Sequence, residues 1–301
     1  MISPRRMTFV AVLLVIGIGW GSTQSLGKIA VSTGYGEFGL IFWSLVVCSL
    51  VLGTILVFRR RTVPLTRATL GFGALIALVG TIIPNTTFYI GVSHLPAGIM
   101  SILIATVPLM AFPIAMMLGM ERFSSRQLVG LLFGLGGVAL IALRQTVLPD
   151  AVAVGWIWVA MIGPLFYAIE GNVVAKWGTA GLDAVQAMFI ASVIGVVLVT
   201  PLVLVSGQWI NPMRPWGPPE YALVLMSVVH AFMYAGYVWL AKHAGAVFAT
   251  QTSYIVTASG ICWAMLLLGE RFGPLILLAG VIMLIGVALV QPRAQSSVVV
   301  V

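Results

Sequence analysis

Glu170 is the one carboxylate set well inside a strongly apolar stretch, three residues after Tyr167 and two before Asn172. An ionisable group in such a setting is costly to bury, and it persists where it pairs, relays a proton or meets a solute. Two readings stand: a proton-coupling acid, or a partner for Asn172 or Lys176 close to a helix end. Elsewhere, polar and aromatic residues recur at helical spacing. His230, Tyr234 and Tyr237 fall at i, i+4 and i+7 on one stripe, Asn85 and Tyr89 are four apart, and Gln251 shares a face with Tyr254. Trp20, Gln24, Ser101 and Tyr167 add further polar or aromatic groups inside apolar runs. Aromatic faces interleaved with amides, hydroxyls and an imidazole can hold a planar solute with a polar end. Stacking takes the ring, while an amide or a helix end takes an ammonium or carboxylate. Simple packing of the aromatic stripe is the other reading. This is binding chemistry rather than catalysis. The three histidines are scattered, and the sequence holds no His-x-x-x-His, Gly-x-Ser-x-Gly or paired-aspartate motif. Cys48 and Cys262 lie in apolar runs and read as small buried hydrophobes. No enzyme activity, cofactor or metal is expected.

The elements that position these groups are membrane helices. Of the 301 residues 61% are apolar and 7% charged, against about 25% charged in soluble domains. A bilayer core of ~30 Å needs roughly 20 apolar residues per helix. Ten windows meet that need, at about 8–30, 37–58, 69–89, 96–118, 126–143, 155–176, 184–205, 221–241, 246–268 and 273–290. They leave no room for a soluble domain. The fold class expected is therefore all-α integral membrane, with ten transmembrane helices. Arg5 and Arg6 ahead of an apolar run resemble a signal peptide, but the run is too long and lacks a small-residue cleavage site, so it reads as the first helix. The net charge of +8 does not indicate nucleic acid, because the basic residues lie between apolar stretches rather than on one face. With a cytoplasmic N-terminus, eleven basic residues fall on the cytoplasmic side and four (Lys28, Arg144, Arg214, Arg271) on the other. That positive-inside bias predicts both termini cytoplasmic. The Pro- and Trp-rich connection around 206–220 suits a membrane–water interface. Pro84, Pro108 and Pro113 interrupt helices and read either as hinges or as static kinks. Gly130, Gly134 and Gly137 give the fifth helix a small face, for packing within the chain ahead of the alternative, dimerisation. Lys28 and Lys176 are expected to reach opposite interfaces, and Glu121 and Glu270 to cap the helices that follow them.

The chain repeats itself. At an offset of 149 residues, His94–Leu140 matches His243–Leu289 without gaps, with 15 identities in 47 positions. The matches include His94 with His243 and Glu121-Arg122-Phe123 with Glu270-Arg271-Phe272. One residue out of that register, Gln24 and Lys28 align with Asn172 and Lys176, and Asn85 aligns with Tyr234 at the offset of 149. Two units follow, 1–146 and 147–301, each of five helices. Five is odd, so the second unit must enter the membrane inverted, an arrangement common in transporters.

The stretch Gly17-Ile18-Gly19-Trp20-Gly21-Ser22, Lys28 at the end of the first helix, and two matching turns complete a pattern. The turns are Gly119-Met120-Glu121-Arg122-Phe123 and Leu268-Gly269-Glu270-Arg271-Phe272, the second one residue tighter after its glycine. Over about residues 5–292 the chain resembles the drug/metabolite transporter superfamily, and within it the EamA branch of ten-helix bacterial inner-membrane exporters. With its many aromatics at mid-helix it is similar to the aromatic amino acid exporters of that branch. The resemblance implies export by alternating access around a central cavity lined by helices 3, 4, 8 and 9 with help from 1 and 6. Helices 5 and 10 would pack to one side. It also implies a bacterial inner-membrane location. The expected partners are a small-molecule substrate and lipid, with the chain a monomer or weak homodimer. A multidrug or other metabolite exporter of the same fold is the alternative.

Overall fold

The structure is a computed structural model, and it describes residues 4–121, 124–143, 153–244 and 252–290. The described residues form ten helices and no strand: α1 Pro4–Ala30, α2 Glu37–Phe58, α3 Arg67–His94, α4 Ala97–Met117, α5 Ser125–Leu143, α6 Ala153–Trp177, α7 Ala184–Ser206, α8 Pro218–Ala244, α9 Thr252–Leu268 and α10 Pro274–Val290. Six of them (α1, α2, α3, α4, α6 and α7) are long and apolar enough to cross a membrane. Shorter apolar stretches run through α5, α9 and α10. Large apolar side chains cover the exterior, including Leu50, Val57, Val197 and Leu266, each at least two-thirds exposed. An apolar exterior on this scale faces lipid rather than water. The chain is a multi-pass membrane protein.

Local chemistry sets the helix ends. Thr66 opens α3 and Asp183 opens α7 with reciprocal capping boxes, to Thr69 and Gln186 respectively. Gly119 and Gly269 take left-handed φ values of 72° and 65° after α4 and α9, a conformation that costs glycine nothing. The prolines then decide where helices break. Pro84 cannot donate to the carbonyl four residues earlier, and α3 absorbs this by widening into a π turn over Ala77–Ile82. In α4 the ladder breaks at Ala105–Thr106 just before Pro108, dividing it into Ala97–Ile104 and Val107–Met117. Pro113 sits inside the second segment without interrupting it.

Packing follows a regular scheme. Helix α1 packs on α8 and α9, and α6 packs on α3 and α4. Helix α2 packs on α7 and α8, while α7 packs on α2 and α3. Helix α4 meets α9, and α5 meets α10. These largest contacts recur when every helix number is shifted by five, whereas among the described residues the smaller contacts of α1 with α4 and of α4 with α10 do not. The α5–α10 contact is close because its glycines admit neighbours: a Cβ on Gly137 would fall 2.3 Å from Met283 Cγ, and one on Gly286 2.6 Å from the Gly130 carbonyl. The small face of α5 is thus occupied within the chain.

One expectation is corrected here. Glu270 does not cap the helix that follows it. Its carboxylate accepts the backbone N–H groups of Ala97 (2.7 Å) and Gly98 (3.0 Å) at the start of α4. Those N–H groups have no partner within their own helix, so an acceptor from the distant α9–α10 turn satisfies them. The lysines also do more than reach an interface. Lys28 Nζ donates to the carbonyls of Ser93 and Leu95 at the end of α3, and Lys176 Nζ to that of Leu118 at the end of α4.

Candidate functional site

Between the helices lies a cavity of about 90 Å³, small beside the ~300–1,000 Å³ of ligand pockets, so a solute needs the surrounding helices to part. Seven helices line it. Helix α1 gives Thr23 and Gln24, α2 Ser44 and Cys48, and α3 Thr81, Asn85 and Phe88. Helix α4 gives Met100, Leu103 and Ile104, α6 Tyr167, α7 Met188 and Ser192, and α8 His230. Helix prolines fall at this depth: Pro84 and Pro164 are in the wall, the latter inside an unbroken α6, and Ile104 is the last residue before the α4 break. Helices α2 and α7 therefore join the wall, which sequence resemblance did not imply, and no described residue of α9 does.

Of the sequence-predicted site residues, Gln24, Asn85, Tyr167 and His230 come together at this cavity. The Tyr167 hydroxyl donates to Asn85 Oδ1 at 3.4 Å. Trp20, Tyr234 and Tyr237 stand directly behind His230. Trp20 Nε1 donates to His230 Nδ1 at 3.3 Å, the Tyr237 ring lies 5.6 Å from Trp20, and Tyr234 stacks at 6.4 Å from His230. Indole N–H can only donate, so Nδ1 of His230 is an acceptor and its proton sits on Nε2. The cavity thereby gains a fixed neutral imidazole with one N–H to offer. Trp20 and the two tyrosines act through His230 rather than in the lining.

The structure takes two expected residues away from the cavity. Ser101 is fully buried where α4 meets α9 and donates to the Ala97 carbonyl at 3.0 Å. Tyr89 is buried among Leu45, Ile82 and Val199, with its hydroxyl 3.7 Å from Met226 Sδ. Gln251 and the side chain of Tyr254 lie outside the described residues.

Glu170 is placed one helical turn from Tyr167, against α3 rather than in the cavity wall. A Cβ on Gly80 would fall 2.5–2.7 Å from its carboxyl group, so the carboxylate rests on the π turn. Neither expected partner turns to it. Asn172 Nδ2 donates to the Ala111 (3.1 Å) and Ala168 (2.8 Å) carbonyls, and Lys176 is spent on Leu118. Among the described residues no hydrogen bond or ion pair reaches Glu170.

Sequence reasoning missed Ser44 and Ser192. Ser44 accepts a 2.9 Å hydrogen bond from Ser227, whereas Ser192 Oγ is buried against the cavity with no protein partner among the described residues. The internal repeat carried the signal, because Ser44 and Ser192 stand in the 148-residue register that also matches Gln24 with Asn172.

The lining contains no charged side chain, and among the described residues no group of three His, Cys, Asp or Glu could hold a metal ion. The arrangement offers amides, hydroxyls, one imidazole N–H and aromatic and thioether surface. Hydrogen-bonding groups and apolar surface thus stand side by side in the wall.

One solved structure, described only as a crystal structure of a protein, shares the fold with a TM-score of 0.65 over 94% of this chain and 96% of the other at 14% identity. No curated protein sequence matches the chain. The sequence profile of the EamA-like transporter family matches twice, over residues 7–143 and 154–291. The double match covers nearly the whole chain, which belongs to the EamA-like transporter family.

Proposed function

We propose that this chain exports aromatic amino acids across a bacterial inner membrane, by alternating access of two inverted five-helix halves with both termini cytoplasmic. The observation that carries the substrate class is the uncharged cavity lining of Gln24, Asn85, Tyr167 and His230 beside Phe88. A zwitterion brings its own balanced charges, which amides and an imidazole N–H can meet while an aromatic ring packs on Phe88. Three features support the inverted halves. The sequence repeats at 149 residues, the family profile matches once in each half, and the largest helix contacts recur on a shift of five. The distribution of basic residues supports the orientation.

A second reading has its own support. Met100 and Met188 in the wall are adaptable surfaces, which favours an exporter of varied amphipathic compounds. Glu170, unpaired beside the π turn, is in this scheme the proton-coupling group.

The test is solute flux in proteoliposomes with a panel of amino acids and amphipathic drugs. Saturable counterflow is expected for phenylalanine, tyrosine and tryptophan, and His230→Ala is expected to abolish it. Counterflow of drugs but not of amino acids would select the second reading. Transport left intact by both His230→Ala and Tyr237→Ala would remove this cavity as the substrate site.

A further inference from the structure

We infer that Glu270 is the latch of a gate, and that the gate is the first segment of α4, Ala97–Ile104. The inference rests on the alternating-access reading above and names the moving part. Met100, Leu103 and Ile104 face the cavity, so this segment is the wall between the cavity and the face that carries the α9–α10 turn. Its far end is the break at Ala105–Thr106 before Pro108, where the backbone ladder is already interrupted and the segment can pivot.

The near end is held from the other half of the chain. The Glu270 carboxylate takes the Ala97 and Gly98 N–H groups, two charge-assisted bonds to donors that no residue of α4 can satisfy. The Phe272 ring sits on Gly98, where a Cβ would come within 2.3 Å of Cζ. Beside it, Lys28 grips the carbonyls of Ser93 and Leu95 immediately before the segment.

Behind the latch α9 meets its neighbours through small residues: Gly260 meets Ser101 of α4, and Ser259 meets Gly21 of α1, each at a distance only a missing Cβ permits. At these two points the helices meet through small atoms, while Ile99, Ile102 and Leu103 of the segment are fully buried in the apolar core. Ala97–Ile104 is the part of α4 that packs on α9, and it also touches α1 and α6, while Val107–Met117 packs on α6 and α10. Release of one carboxylate therefore loosens the near end of a short segment with a hinge behind it, and Ile99, Ile102 and Leu103 move with that segment.

The experiment uses the full-length protein in membrane vesicles. Cys48 and Cys262 are replaced by alanine, and Ser101→Cys places a reporter thiol in the seam, fully buried while the gate is shut. A membrane-impermeant maleimide is applied from the side of the Glu270 turn. Labelling is expected to be slow in this background and to rise about 5- to 150-fold with Glu270→Gln, which loses the charge and one acceptor oxygen. Glu270→Asp, with the charge held one methylene short, should give a smaller rise. It decides the matter if the glutamine variant fails to reach the membrane. Glu121→Gln, on the opposite face, should not raise labelling. Unchanged labelling in the Glu270 variants, or an equal rise with Glu121→Gln, overturns the latch. Counterflow by the otherwise unmodified protein is read separately. Its absence would defeat the carrier reading while leaving a positive labelling result standing.

Discussion

Gly260→Ala tests the closeness of the α4–α9 seam with one methyl group. An added Cβ would stand 2.3 Å from Ser101 Oγ, 2.6 Å from Ser101 Cβ and 3.4 Å from the Gly21 carbonyl. Carbon atoms in contact prefer about 3.5–4.0 Å, so the helices must separate by about 1 Å to admit it. The Ser101 Cβ is fixed to the backbone and cannot swing aside as the tip of a long side chain could. Overpacking of this kind costs about 1–3 kcal/mol. Reversible unfolding in detergent mixtures measures that loss, and the informative partner is Ser101→Gly, which removes the clashing atoms. Ser101→Gly alone should cost about 1 kcal/mol from backbone entropy and lost packing. In the double variant the clash is gone, so its stability should lie close to that of Ser101→Gly rather than at the sum of the two losses. Costs that add to within about 0.5 kcal/mol would show that the two sites do not meet, and would refute the close seam.

Three further outcomes follow from single contacts. Trp20→Phe removes the donor that fixes the His230 tautomer. The apparent substrate affinity in counterflow should fall roughly 2- to 12-fold with little change in maximal rate, and an unaltered affinity would place Trp20 in packing alone. Glu170→Gln should leave solute counterflow intact while an imposed pH gradient no longer drives accumulation; accumulation equal to that of the unmodified protein would remove Glu170 from coupling. Outside the membrane, the Tyr35 hydroxyl donates to Glu220 and holds that carboxyl below its ordinary range, so this tether is present above the ordinary carboxylate range and is lost as pH falls through the lowered value. Tyr35→Phe should move the titration of Glu220, followed by carboxyl NMR, back upward, and an unmoved titration would mean that the hydrogen bond does not form.

How far the sequence could be read depended on the range of each interaction. Helix positions are local: α2 spans 37–58 and α7 184–206, close to their apolar windows, because twenty apolar residues have no other stable arrangement in lipid. The stripe of His230, Tyr234 and Tyr237 was legible as a stripe, yet only its first member reaches the cavity. Periodicity fixes which face of a helix a residue shares, not which neighbour that face meets. Ser101 illustrates the same limit, since a polar residue in mid-apolar sequence can be placed by a glycine opposite it rather than by a solute. The partner of Glu270 was out of reach for another reason. The bond to Ala97 spans 173 residues, and the local alternative, capping the next helix, was chemically as good. Ser44 and Ser192 escaped because a lone hydroxyl barely disturbs an apolar run, and only the repeat register links them.

Two sets of glycines in this chain show how the same residue type yields a fixed joint in one place and a parting surface in another. Between α5 and α10, each missing Cβ is filled by a large side chain or by backbone: Met283 lies over Gly137, and the Gly130 carbonyl lies against Gly286. Leu109 of α4 lies over Gly134 and binds the pair to the rest of the bundle. Separating such surfaces strands interlocked apolar atoms, and dispersion lost over many contacts opposes it. Around α9, glycine faces serine instead: Gly260 opposite Ser101 of α4, and Ser259 opposite Gly21 of α1. These glycine–serine contacts contribute little dispersion of their own, and the bonds of Glu270 and Lys28 add a directional hold at the same end of α4. The same contrast dictates opposite responses to mutation. Gly137→Ala should destabilise the whole protein without changing seam labelling, because a Cβ only 2.3 Å from Met283 disturbs a joint that does not open. A rise in labelling of Ser101→Cys on Gly137→Ala would show instead that α5 and α10 move with the gate, and the division into a fixed joint and a parting seam would be lost.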